Sequence, residues 1–365
     1  MDDKMVQMKL HYYCRENMYQ SMMEVAKSLA TPDSVTSKLY CGFALVFNKN
    51  YEDAINILEQ LHKDPVTNLA SLLATISAHR NTSSTSPEVR EEISRLENIL
   101  RNERKRADDL SLYFAALFLH LSGRHEKSRE YADRMLTLNP DNVDGMILRG
   151  WIEIHIQKRN PLEYFDAALS IDSSSAEAIH GKITHYISKS MFTESIDAVN
   201  DAISTFPQNH EFLIEKLRAY LAARDWDAVS ELSKKIKLSG SLNIKLLEMQ
   251  ILATICHDGS FVDATPLLKT LFTFIEKYEA NSGGIWINVG RLFSRVCGRH
   301  LPILNECQLF VERALQLDGR NSSYLTEMAH QQLLQGCAKD SLLTLKTASQ
   351  MSETPADIML LKILW

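Results

Sequence analysis

LYFAALFLHLSGRHEKSREYADRMLTLNPDN, residues 112–142, contains two helical patterns joined by a glycine turn and ended by a proline. Gly123 supplies the left-handed conformation that ends the first helix. Ala116 is a small residue midway along that helix, where a larger side chain would hold two crossing helices apart. Pro140 ends the second helix because it cannot donate the next backbone hydrogen bond. The stretch therefore predicts a helix–turn–helix unit.

The same register returns along the chain. A late position of the second helix recurs with spacings of 33, 34 and 34 residues, at Met135, Ala168, Ala202 and Ile236. The small position of the first helix recurs at Gly42, Gly150 and Ala329. Ten helical pairs can be counted, and residues 355–365 resemble the start of an eleventh; 365 divided by 34 is about 10.7. We therefore expect an all-α tetratricopeptide-repeat superhelix of about ten units.

The domain organisation follows from the absence of any shift in composition. We expect residues 1–365 to form a single solenoid with two irregular units. A polar loop near 81–87 contains Ser86-Pro87, which is either a proline-directed phosphorylation site or simply a solvated loop. A lengthened unit near 278–284 would let the superhelix bend. Residues 358–365 are apolar almost all round, so we expect a further helix or a partner to cover them.

Composition narrows the classes of function. The net charge of −6 and the isoelectric point near 6.1 do not indicate a wholesale binder of nucleic acid or anionic membranes. Uncharged stretches reach about 14 residues, short of the roughly 20 that a bilayer span needs. The N-terminus lacks a signal-peptide pattern, and the six cysteines form no CxxC pair. The sequence thus predicts a soluble intracellular protein with buried thiols.

No catalytic motif is found. The nearest approach to a phosphate-binding loop, Gly145 to Gly150, continues with Trp151 rather than lysine. The histidine pairs 120/125 and 180/185 are five residues apart, about 140° around a helix, which suits chelation poorly. We expect no catalytic residue, no cofactor and no metal site, and therefore no enzyme.

The basic run at 101–106 ends a predicted helix, where cations meet the negative end of the helix dipole. The alternative is docking on an acidic partner, a tubulin tail or a phosphoinositide head group. Aromatic residues suited to base stacking do not interleave with it, so nucleic acid is not an expected partner.

Tetratricopeptide arrays bind peptides on the concave face formed by their first helices. In units four to seven that face would include His120, Asp144, Trp151, Glu177, His180, Thr184, Glu211 and Arg218. The alternative is that some of them, Trp151 especially, only pack. We expect the three charged residues Glu177, Glu211 and Arg218 to be exposed, so that reversing them leaves the fold nearly intact. The Lys/Asn pair that clamps a carboxylate in chaperone-binding arrays is absent from the repeats whose first helices can be aligned with one another.

Several strings resemble the N-terminal part of the tetratricopeptide repeat protein 21 family, also called intraflagellar transport protein 139. They occur in the family's order, at residues 12–14, 71–79, 123–135, 225–227, 293–304 and 312–314. Cys297-Gly298-Arg299 and Gly123-Arg124-His125 are not consensus repeat residues, which makes them the more specific strings. Members of the family are longer, so this chain would be a fragment or a short isoform.

The resemblance implies a non-catalytic scaffold subunit of intraflagellar-transport complex A, which serves retrograde ciliary transport and the delivery of membrane receptors into cilia. Its implied partners are the other subunits of that complex and cargo adaptors, in the cytoplasm and in the cilium at the axoneme and basal body. The alternatives are a tetratricopeptide adaptor of a ubiquitin ligase or a motor–cargo linker, and the regulatory repeat domain of an enzyme such as a glycosyltransferase.

Overall fold

A computed structural model describes residues 3–29, 34–82, 86–207, 209–238 and 243–351. Twenty α-helices make up 81% of these residues, and no strand occurs among them. The expected all-α class is therefore confirmed. Residues 352–365, which hold the predicted start of an eleventh unit and the apolar C-terminal segment, lie outside the described residues.

The chain divides into two units, Met1–Ala223 and Arg224–Trp365. Unit 1 contains α1 (Asp3–Arg15), α2 (Tyr19–Lys27), α3 (Val35–Phe47), α4 (Tyr51–Glu59), α5 (Asn68–Asn81), α6 (Pro87–Arg106), α7 (Asp109–Leu121), α8 (His125–Leu138), α9 (Val143–Ile156), α10 (Pro161–Ile171), α11 (Ala176–Ser188), α12 (Phe192–Thr205) and α13 (His210–Ala223). Unit 2 contains α14 (Trp226–Leu238), α15 (Ile244–Cys256), α16 (Phe261–Tyr278), α17 (Gly283–Val296), α18 (Leu301–Leu317), α19 (Ser322–Leu334) and α20 (Ala338–Met351).

These helices correspond in order to the ten predicted pairs, the odd-numbered members being the first helices and the even-numbered members the second. Nine of the turns from a first to a second helix contain one residue with positive φ, four of them glycine and five not. Gly123, the residue singled out in the sequence, is one of the four, with φ at 76°. A left-handed residue ends the first helix and leaves the chain free to reverse.

The predicted small positions lie where helices cross. A Cβ atom at Gly42 would lie 2.5 Å from Leu58, and one at Gly150 would lie 2.6 Å from Phe165. Ala116 and Ala329 are completely buried. Close approach of the two helices in a pair therefore excludes larger side chains at this position.

Both predicted irregularities coincide with helix ends. α5 ends at Asn81 and α6 begins at Pro87, with the Ser86 hydroxyl accepting a hydrogen bond from the backbone N–H of Val89 as a helix cap. α16 is 18 residues long and ends at Tyr278. Whether residues 1–365 form one continuous solenoid stays a prediction.

Two further expectations concern the surface. None of the helices in the described part of the chain combines the length and the apolar character that a bilayer crossing requires. The expectation that all six thiols are buried was wrong, because Cys256 and Cys337 are exposed near the ends of first helices.

Candidate functional site

Helix α1 lies across the surface that the first helices α3, α7, α9, α11 and α13 present within unit 1, which we call the A-helix face. Side chains of α1 or of Glu16, the next residue, contact all five of these helices. The chain thus places its own N-terminal helix where a peptide partner was expected.

The sequence of α1 explains this position. Apolar residues occupy alternate positions, at Val6, Met8, Leu10, Tyr12 and Cys14. On a helix with 3.6 residues per turn, residues 6, 10 and 14 lie on one side and residues 8 and 12 on roughly the opposite side. A helix with two opposed apolar stripes must be covered on both.

Each apolar stripe belongs to a different part of the core. Val6, Leu10 and Cys14 join the cluster that includes α2 and α3. Met8 and Tyr12 join a second cluster with residues of α11, α12 and α13, namely Ala176, Ile183, Val199, Ala202 and Phe212. Helix α1 therefore contributes to the core that runs from α2 to α9 on one side and to the cluster of α11, α12 and α13 on the other.

A third, polar stripe at positions 7, 11 and 15 faces the first helices. The guanidinium of Arg15 donates to both carboxylate oxygens of Glu177, at 2.7 and 3.2 Å, and lies 3.0 Å from Nδ1 of His180. It also lies 3.8 Å from the centre of the Trp151 ring, within the range of a cation–π interaction. Arg15 therefore anchors the C-terminal end of α1.

His11 extends the same stripe. Its Nδ1 lies 3.3 Å from Glu177 and its Nε2 lies 3.0 Å from the hydroxyl of Tyr40. Burial alone would raise the pKa of Glu177, but the nearby Arg15 and His11 outweigh burial and lower that pKa to about 2. Glu177 is therefore a buried, ionised carboxylate held by α1.

Two more contacts tie α1 to α13. The Tyr13 hydroxyl donates to Glu211 at 2.9 Å, and the Lys9 ammonium lies 3.2 Å from the same carboxylate. Glu16 then accepts from Arg218 at 2.8 Å. The positions of these charges along α1 and along the first helices are complementary.

The structure brings the eight predicted residues to this one surface. Six of them contact α1 or Glu16: Asp144, Trp151, Glu177, His180, Glu211 and Arg218. The other two, His120 and Thr184, line a cavity of about 350 Å³ beside Arg15. Their use by a separate protein stays a prediction.

One part of the expectation was wrong. Glu177 and Glu211 are each only 6% exposed, because α1 covers them. Reversing these charges would leave buried groups without partners, so the fold would not stay nearly intact. The sequence register places these residues on first helices, as the structure does, but it could not show that another helix covers them.

The cavity beside α1 contains a cluster of imidazoles. His125 and His155 stack with ring centroids 4.2 Å apart, and Nδ1 of His120 lies 3.3 Å from Nδ1 of His125. Burial, with the neighbouring His125 and Arg15, lowers the pKa of His155 to about 4. The turn between α7 and α8, rather than one helix face, brings His120 and His125 together. Within the described ranges, no group of three or more histidine, cysteine, aspartate or glutamate side chains could hold a metal ion.

Sequence reasoning missed the residues of α1, chiefly Lys9, His11, Tyr13 and Arg15. The signal was present in the two opposed apolar stripes, which distinguish α1 from a first helix with one buried face. Residues 7, 11 and 15 then form the polar stripe between them. What no sequence pattern specifies is which helices meet the second stripe.

Two models of one protein family match the chain. The family model for the N-terminal ARM repeat of tetratricopeptide repeat protein 21 matches residues 10–230, and that for the second ARM domain of the same protein matches residues 267–365. The first match covers more than half of the chain.

Curated relatives agree with these matches. Tetratricopeptide repeat protein 21B of Homo sapiens is 30% identical over 360 residues, which cover 97% of this chain and 27% of that protein. Tetratricopeptide repeat protein 21A of Mus musculus is 24% identical over 359 residues, covering 96% of this chain and 27% of that protein. The chain thus spans about a quarter of the length of these relatives.

Among solved structures, yeast Tom70 is similar with a TM-score of 0.55 at 15% identity, over 97% of this chain and 86% of that one. At this identity the likeness concerns the fold alone. It confirms the expected tetratricopeptide-repeat solenoid fold class.

Proposed function

The chain belongs to the tetratricopeptide repeat protein 21 family, and from this we propose that it is a non-catalytic scaffold subunit of the ciliary transport complex that the sequence resemblance implied, intraflagellar-transport complex A. The observation that carries the proposal is the family match over residues 10–230. The proposed role is in retrograde ciliary transport and in the delivery of membrane receptors into cilia.

The fold supports a role in recognition. Repeat stacking presents one surface built from successive first helices, and such surfaces bind extended or helical segments of other proteins. In unit 1 this surface already holds a helix through both apolar and ionic contacts. The proposed partners are the other subunits of complex A and cargo adaptors, in the cytoplasm and in the cilium at the axoneme and basal body.

The test is affinity capture from ciliated cells. The bait is this chain with a tag, the matched control is the repeat solenoid of yeast Tom70 with the same tag, and the positive control is the full-length human relative. We expect complex A subunits with this chain and with the relative, and not with Tom70. Recovery of complex A by the relative alone contradicts the proposal, and recovery of ligase or motor subunits instead favours an adaptor of another assembly.

A further inference from the structure

We propose that the A-helix face of unit 1 is a helix-binding site, that α1 is its resident occupant, and that a partner helix with the same polar and apolar stripes competes with α1 for it. The proposal rests on the proposed function, because it names the class of partner that this face of the scaffold would bind.

Repeat stacking does not require α1 to lie on this face. In a solenoid each helix pair contacts the neighbouring pairs. Helix α1 belongs to the first pair, yet its Gln7 contacts Tyr113, 106 residues away, and its Tyr13 contacts Glu211, 198 residues away. It therefore occupies the face as a bound helix would, although it is covalently part of the chain.

The contacts of α1 with this face define a recognition pattern. Apolar side chains at positions i and i+4, Met8 and Tyr12, enter the cluster formed by α11, α12 and α13. Nitrogen-bearing side chains at i+3 and i+7, His11 and Arg15, meet the carboxylate of Glu177. A competing helix would carry apolar residues at the first two positions and basic residues at the other two.

The A-helix face and α1 carry complementary charges. The face presents the buried carboxylates of Glu177, Glu211 and Glu215, and Arg15, Lys9 and Arg218 lie beside them. Two of these three cations come from α1. A helix with acids at the positions of His11 and Arg15 would place like charges together in a buried site, so the face selects basic helices.

Helix α1 is paired with α2, so it stays attached to the chain when it gives up its contacts with α9, α11 and α13. Its stripe at residues 6, 10 and 14 belongs to the cluster that includes α2, and its contacts with α11 and α13 come from the opposite stripe, from the polar stripe, and from Lys9 and Tyr13. Exchange of these contacts leaves the pairing of α1 with α2 in place. Because α1 is tethered, its effective concentration is in the millimolar range, so a free helix competes weakly until it is itself concentrated in an assembly.

The test uses a labelled peptide of residues 3–16 and a chain that lacks residues 1–16, with binding followed by fluorescence anisotropy. We expect the peptide to bind the truncated chain and to bind the intact chain at least about 100-fold more weakly, as a tethered competitor requires. An Arg15→Glu peptide should bind at least about 30-fold more weakly than the natural peptide, the effect of breaking a buried charge pair.

Exchanging the charges of Glu177 and Arg15 shows whether the peptide binds at the A-helix face. The Glu177→Arg truncated chain should lose the natural peptide and gain the Arg15→Glu peptide. The matched control is Glu194→Arg, an exposed glutamate on α12, which should change neither affinity. Equal binding of both peptides to both chains overturns the proposal, and so does a folded truncated chain that binds no peptide.

A second experiment is used if the truncated chain does not fold. A protease site placed after Asn17 lets α1 be cut from the folded full chain, and the labelled peptide should then exchange with the cut helix. Lack of exchange overturns the proposal. If the truncated chain instead forms a dimer with an intact chain by binding that chain's α1, the occupant is a second copy of this chain. That outcome overturns the proposal of a partner helix. None of these readouts depends on complex A, so the capture experiment above can fail independently.

Discussion

Two buried glutamates on first helices show how differently the two units satisfy their charges. Glu177 on α11 is paired by Arg15, 162 residues earlier in the chain. Glu327 on α19 is paired by Arg295, 32 residues earlier on α17, and Arg291 of α17 lies 3.4 Å from the same oxygen. Ser294 and Gln331 also donate to Glu327.

The exposures of the arginines sharpen the contrast. The side chain of Arg15 is 17% exposed, whereas those of Arg295 and Arg291 are 47% and 43% exposed. In unit 2 the neighbouring repeat supplies cations that water also reaches. In unit 1 a distant helix supplies a largely desolvated cation. The same chemical pair should therefore contribute very different free energies.

The largest expected effect is that of Arg15→Met. It leaves the Glu177 carboxylate buried without its main cation, so the free energy of unfolding should fall by about 3–5 kcal/mol. Urea denaturation followed by circular dichroism measures it. The double variant Arg15→Met with Glu177→Met removes the buried charge as well and should recover much of the loss. A loss below that of Arg295→Met would contradict the contrast between the units.

Lowering the pH should reveal how much the pair of Glu177 and Arg15 stabilises the fold. The pKa of Glu177 is lowered from 4.5 to about 2, so the unfolded chain binds the proton more readily than the folded chain. The stabilisation is complete above about pH 4.5 and is lost as the pH falls towards 2, a contribution of about 3 kcal/mol. Stability measured from pH 6 to pH 2 should fall less steeply for Glu177→Gln than for the natural chain. Parallel pH profiles would show that Glu177 is not held ionised.

Arg295→Met in unit 2 should cost less, about 1 kcal/mol, because Arg291 and two neutral donors still reach Glu327. The double variant with Arg291→Met should cost more than the sum of the two single variants, since each arginine compensates for the other. Thermal or urea unfolding of the three variants measures this. Strict additivity would mean that the two arginines act separately.

The smallest effect should be that of Arg95→Met. Arg95 pairs with Glu92 on α6, but its side chain is 61% exposed and that of Glu92 is 30% exposed. Because water screens the pair, the change in unfolding free energy should be below about 0.5 kcal/mol. The variant is also the matched control for Arg15→Met, since both replace an arginine paired with one glutamate. A cost near that of Arg15→Met would remove the distinction between buried and exposed pairs.

The contacts of unit 2 are of the kind that a repeat register can anticipate. Glu327 and Arg295 lie nearly one period apart, so a 34-residue repeat already places them on adjacent first helices. The eight residues proposed for the face of unit 1 were found in the same way. Their helices and their common surface could be predicted because each depends only on neighbours in the repeat.

The pattern of residues along the chain is enough to specify the helices, their turns and their close crossings. Gly123, Gly42 and Gly150 mark positions where local geometry leaves little choice of residue. The position of α1, which crosses the first helices and covers Glu177 and Glu211, is seen in the folded chain alone. The reason is physical: two opposed apolar stripes demand two packing partners, but periodicity encodes only the partner that is adjacent in the chain. The second partner depends on how far the stacked repeats curve, which accumulates over many helices and is written in no single stretch of sequence.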